Sequence, residues 1–300
     1  MPFHLIKREP IAPGLRRIAR EQIIIGLEDS AATSIPGNRG VHSLRIRCKK
    51  LRGLLRLPQP LMGDTFAIED RRIRRAAKQL AQNRDSQVIA RLIASFNGST
   101  PEPAREQHPV SRQDVEASRR ILTNCLEAVD DWPLDLHGFY DIAPGFARTY
   151  RKCLAAWQKV MELPSDQNFH RLRKWGKYHW YHIRILERLN KPVLRKRRKR
   201  LRKLQLTLGD AHDLVLLQSY LGVREHADEQ LLRQVTERKN QLYEKALRNG
   251  RKLFRVSANE LVADLSRYWA EQGELNVDGL EDQARYYADD PRFSDRGQTE

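Results

Sequence analysis

The stretch Val41-His42-Ser43-Leu44-Arg45-Ile46-Arg47-Cys48-Lys49-Lys50-Leu51-Arg52 decides how this chain folds. At roughly 100° per residue, His42, Arg45, Lys49, Arg52 and Arg56 fall within an arc of about 80°. Leu44, Cys48, Leu51 and Leu55 form a second stripe about 100° away, with the spacing of a core-facing edge. The segment reads as a helix that buries one edge and carries a cationic row beside it. Like charges three and four residues apart weaken an isolated helix by a few tenths of a kcal/mol per pair. A solvated basic face is the plainer reading of one such helix. A row that accepts the repulsion also suits a helix that meets a counter-charge.

The pattern recurs. In Phe169-His170-Arg171-Leu172-Arg173-Lys174-Trp175-Gly176-Lys177, the residues His170, Leu172, Arg173 and Lys177 repeat His42, Leu44, Arg45 and Lys49 at a constant offset of 128. Arg184 repeats Arg56, whereas Trp180 stands opposite Arg52. The same offset pairs Arg72, Arg74, Leu80 and Asp85 with Arg200, Arg202, Leu208 and Asp213. A gap-free match over this length predicts a duplicated helical unit. Even the first helices correspond, with Gly14 to Arg20 resembling Gly145 to Arg151. That match adds Arg17, Arg20, Arg148 and Arg151 to the candidate cations. A further basic row runs through Arg71, Arg74, Arg75 and Lys78, matched by Lys199, Arg202, Lys203 and Leu206. Arg202 and Lys203 belong to the dense run Arg195 to Lys203, in which Lys196, Arg197 and Arg200 read equally well as solvated.

Helical periodicity extends through the chain, over about 14–29, 41–57, 66–82, 85–96 and 111–130, then about 145–162, 168–190, 193–207, 211–221, 227–249 and 257–271. Breaks fall at Pro36-Gly37, Pro58 to Gly63, Gly98 to Pro109 and Trp132-Pro133. No strand is required. The expected fold is all-α: two pseudo-twofold-related bundles of about four helices each, over about 12–130 and about 144–270, packed around a shared groove. The last segment, 271–300, has nine acidic and three basic residues and reads as a disordered acidic tail.

Composition narrows the partners. Fifty-five Lys and Arg against 38 Asp and Glu give a net charge of +17. That balance points to a polyanion: nucleic acid, phosphate polymer or anionic surface. Cys48, Cys125 and Cys153 lie far apart, without zinc or disulfide spacing, which suits a reducing cytoplasm. No apolar run approaches membrane-span length, and Met1 to Pro10 lacks an apolar signal core, so neither a membrane partner nor secretion is expected. Nor is an enzyme expected. The phosphate-cradling G-x-x-x-x-G-K-[ST] loop is missing. Asp85 and Asp213 read as helix N-caps rather than metal-holding carboxylates. His179, His182 and His212 would need a fixed geometry to bind metal, which spacing alone does not give. No cofactor and no metal are assigned.

These residues resemble the CHAD family, the conserved-histidine α-helical domain. The resemblance rests on the paired H-x-x-R-x-x-x-K helices at His42 and His170, the Leu80 to Asp85 and Leu204 to Asp213 segments, and Gly145 to Lys152 with Tyr150-Arg151. It spans about residues 12–270. It implies two helical bundles around a basic central channel, binding of inorganic polyphosphate, and localisation to polyphosphate granules. Two departures stand out: Trp180 at a usually basic position and Ala81 in place of the usual Gly. Nucleic acid remains the second candidate partner, although no base-reading motif is present. A module for acidic or phosphorylated proteins is the third.

Overall fold

The computed structural model describes residues 3–6, 9–31, 39–80, 84–98, 110–188, 191–223 and 228–270. Pro36-Gly37, Ala81, Asp85 as an N-cap, most of the Gly98 to Pro109 loop and the acidic tail lie outside the residues or side chains described. In chain order the helices are α1 (Ile11–Ala31), α2 (Arg39–Leu55), α3 (Asp64–Gln79), α4 (Arg84–Phe96), α5 (Arg112–Ala128), α6 (Phe139–Glu162), α7 (Asp166–Leu186), α8 (Lys191–Gly222), α9 (Glu229–Leu253) and α10 (Ala258–Trp269). Among the described residues there is no strand, so the fold is all-α.

The helix starts follow their caps. Ser111 accepts the Asp114 N–H, Ser165 the Asn168 N–H, and Asp228 the Leu231 N–H. At α10, Ser257 and Glu260 cap each other reciprocally. Each side-chain oxygen satisfies an amide that the first helical turn leaves without a partner. Between α2 and α3 the chain turns through a short 3-10 segment, Gln59–Leu61, and through Gly63 at φ +52°. That left-handed conformation favours glycine.

Three elements differ from the sequence reading. The expected helices 193–207 and 211–221 form one continuous α8 across Gly209. Leu201, Leu204, Leu208, Ala211 and Leu214 are buried along it, and this packing outweighs the roughly 1 kcal/mol helical cost of one glycine. Asp213 therefore lies inside a helix and is not an N-cap; its Oδ2 is 4.0 Å from Arg91 Nη2. Finally, α6 begins at Phe139 rather than 145 and runs through Pro144. Pro144 removes an intrahelical donor, but buried Phe139, Ile142 and Phe146 hold the first turns against the core.

Helices α1, α2, α3 and α5 pack on one another, as do α6, α7, α8 and α9, with α10 on α6. The two groups meet where α2 packs against α7. One main core runs through both, from Leu15 and Leu51 to Tyr150, Leu172 and Leu204. Helix α4 crosses the expected boundary and packs on α8. There Ile89, Leu92, Ile93 and Phe96 join a smaller core with Leu214, Leu217, Val235 and Leu242.

Candidate functional site: a cationic seam between α2 and α7

The two helices run in opposed directions along their contact. Arg56 faces Tyr178, Gly53 meets Tyr181 and His182, and Arg47 and Lys50 lie beside Arg184. Gly53 makes the close approach; a Cβ there would press on the Tyr181 ring. His182 Nε2–H donates to the Gly53 carbonyl at 2.9 Å. A second close approach brings in α6: a Cβ on Gly145 would overlap the carbonyl oxygens of Arg56 and Leu57. His42 and His170 are each eleven residues from the crossing, on opposite sides. At 1.5 Å per residue they stand up to about 33 Å apart, each beyond the stretch where α2 and α7 lie side by side.

On one side of Gly53 a cluster forms around Asp70 of α3. Arg52 grips its carboxylate with two bonds, at 2.9 and 3.2 Å. Arg56 reaches it at 3.1 Å and Arg74 at 3.3 Å. Burial alone would raise the Asp70 carboxyl, but the Arg52 hydrogen bonds and the Arg56 and Arg52 charges hold it below the usual range. Lys174 of α7 and Lys152 of α6 complete the group. Their ammoniums lie 5.4 and 5.1 Å from the Trp175 ring centroid, and the Arg56 guanidinium lies 4.1 Å from that of Tyr178. Partial burial lowers the Lys174 ammonium, and Arg52, Arg56, Arg74 and Lys152 lower it further. Lys152 is lowered by partial burial and by Arg148 and Arg56. One carboxylate thus serves a group with far more positive charge.

On the other side, Phe3, Trp180 and Tyr181 carry a second cluster. Lys50 and Arg184 both lie over Phe3, at 5.0 and 5.1 Å. Lys177 and Arg184 both lie over Trp180, at 4.7 and 5.0 Å. Trp180 therefore adds no charge itself but holds two cations by its face. Burial pushes Lys177 down to about 8, with help from Arg173 and Arg184. Lys50 is pushed to about 7 by burial, then by Arg47 and Arg184; it donates to Gln22, as does Arg47.

The other sequence candidates are placed as follows. His42 and Lys49 are exposed on α2, while Arg45 donates to the Leu80 carbonyl at the end of α3 at 2.6 Å. His170 is exposed beside His212, with ring centroids 4.9 Å apart; partial burial and then Arg173 and Lys174 lower it. Arg75, Lys78, Arg148, Arg202 and Lys203 are exposed. Arg151 donates to Asn259 on α10. Arg17 is spent on Glu9 and Glu21, and Arg20 pairs with Asp130.

Sequence reasoning missed Arg47, Lys50, Lys152, Lys174 and Phe3. Lys152 could have been found, because it follows Arg148 by one helical turn. Phe3 could not, since residues 3–6 return to α7 only through tertiary contacts such as Leu5 N–H to the Ile185 carbonyl at 2.9 Å. His179 and His182 belong to the core. His179 stacks on Tyr150 at 4.5 Å and accepts from Arg197 Nε at 3.0 Å, which requires neutral imidazole. His182 is held down to about 3 by burial. No group of three or more metal-ligating side chains occurs among the described residues. Arg197, open to a solvated reading from sequence, is buried.

A family model described as the CHAD domain matches residues 28–222, well over half of the chain. No curated protein and no solved structure matches it.

Proposed function

Because the chain belongs to the CHAD family, we propose that it binds inorganic polyphosphate along the α2–α7 seam. The observation that carries this reading is the excess of cations converging there. Lys152, Lys174 and Lys177 all have lowered ammonium pKa values amid neighbouring guanidiniums. Such a group gains most from a flexible anion that touches many cations in turn. Arg offers forked donors to phosphate oxygens and Lys offers mobile point charges. Released counterions would supply much of the affinity. The two matching segments give this reading its two-sided form, with one basic row from each.

The aromatic rings favour phosphate over nucleic acid. Trp175 and Trp180 would be the natural platforms for stacked bases, yet each already holds two cations on or near its face. Association with polyphosphate granules in the cytoplasm would follow from the same binding. No helix among the described residues is long and apolar enough to cross a membrane. In this proposal the protein is a binder and not an enzyme.

The direct test is titration of end-labelled polyphosphate with the full chain and with the Lys152→Glu/Lys174→Glu variant. Both side chains are exposed, so the fold should survive by circular dichroism. The expected result is at least a tenfold loss of affinity at low salt. Unchanged affinity in the folded variant would refute the seam as the site.

A further inference from the structure

Helix α8 carries a second basic face, turned toward α9 and α10. Val193, Lys196, Arg197 and Arg200 fall within an arc of about 100°, and Arg202 lies roughly 170° from its centre. The first four residues form one wall of a cavity of about 350 Å³, with Lys252 and Leu253 of α9 and Leu261 of α10 opposite. That volume is at the small end of ligand pockets.

Arg197 is the unusual member. It is 8% exposed and lines the cavity. Its Nε–H donates to His179 at 3.0 Å and its Nη1–H to the Leu253 carbonyl at 3.4 Å. The guanidinium lies 4.4 Å from the Tyr150 ring centroid. Its Nη2 is buried without a hydrogen-bond partner. A buried cation held only by neutral groups is costly, and an arriving anion would offset that cost. Lys196, Arg200 and Lys252 add three further cations to the wall. The one carboxylate in the lining, Asp264, already bonds Arg267 at 2.8 Å. Val193, Val256 and Leu261 supply apolar surface beside this charge.

We propose that this cavity binds a small phosphate ester with an apolar body. The phosphate faces Arg197 and the basic wall, and the body lies against Val193, Val256 and Leu261. A dianionic phosphate matches four cations better than a carboxylate does, and the apolar lining separates an ester from free phosphate. The site is independent of the seam, so it stands whether or not the chain binds polyphosphate.

Phenyl phosphate is the probe, titrated calorimetrically into the full chain at low salt, with inorganic phosphate and benzoate as comparisons. Saturable binding of phenyl phosphate is expected, with each comparison at least tenfold weaker. Arg197 braces His179 in the core, so the rim carries the mutational test. Arg200→Glu/Lys252→Glu should weaken phenyl phosphate at least tenfold, and Lys196→Glu alone at least threefold. Arg202→Glu, on the opposite face of α8, should change it less than twofold. Absence of saturable binding, equal affinity for inorganic phosphate or benzoate, or indifference to the rim variants would each overturn the proposal.

Discussion

Replacing Asp70 by Asn should move stability and binding in opposite directions. Asp70 is the internal counter-ion of the first cluster, held by Arg52, Arg56 and Arg74. Without its charge the three guanidiniums repel one another across a largely buried site. Breaking a buried ionic contact of this kind costs about 3 kcal/mol. The same change removes a negative charge that competes with the proposed ligand. For a phosphate about 6 Å from position 70, one less negative charge is worth about 0.7 kcal/mol at a dielectric of 80 and about 1.4 at 40. Affinity for polyphosphate should therefore rise about three- to tenfold at low salt. Urea unfolding gives the first quantity, and titration of labelled polyphosphate gives the second. A folded Asp70→Asn protein that binds polyphosphate no tighter than wild type would refute the idea that Asp70 and the ligand draw on the same cations.

Two further outcomes follow from the geometry. In the free protein Lys177 is held to about 8, and a bound polyanion favours its charged form, so binding takes up a proton. Affinity should rise as pH falls from about 9 to about 7, and Lys177→Met should flatten that rise; an unchanged pH profile would remove Lys177 from the site. Gly145→Ala should destabilise the fold by about 1–3 kcal/mol in urea melts, because its methyl group would overlap the Arg56 and Leu57 carbonyls. No loss would contradict the close approach of α6 to the end of α2.

Most helices were legible in the sequence because their stripes are strong and their starts are capped. The His42 and His170 segments are helices, as their spacing requires. What failed was local punctuation. The periodicity stops at 207, resumes at 211 and starts the later helix near 145, but burial of the surrounding apolar side chains carries α8 across Gly209 and starts α6 at Phe139. The cationic seam was legible in outline, since Arg52, Arg56, Lys177 and Arg184 do converge there. Its neutralisation was not. Asp70 is an ordinary helical aspartate until α3 folds against α2, and Arg17 and Arg20 resemble ligand cations until Glu9 and Asp130 reach them. Arg197 was ambiguous for the same reason: a helix face shows which residues are neighbours, not which of them the next helix covers.

In the proposed function the seam prefers a bare phosphate chain to a nucleic acid. Competition against labelled polyphosphate at fixed ionic strength tests it most directly, with unlabelled polyphosphate, single-stranded RNA and duplex DNA compared at equal phosphate concentration. Polyphosphate should displace the label at least tenfold more effectively than either nucleic acid. Displacement by RNA or DNA at an equal or lower phosphate concentration would contradict it.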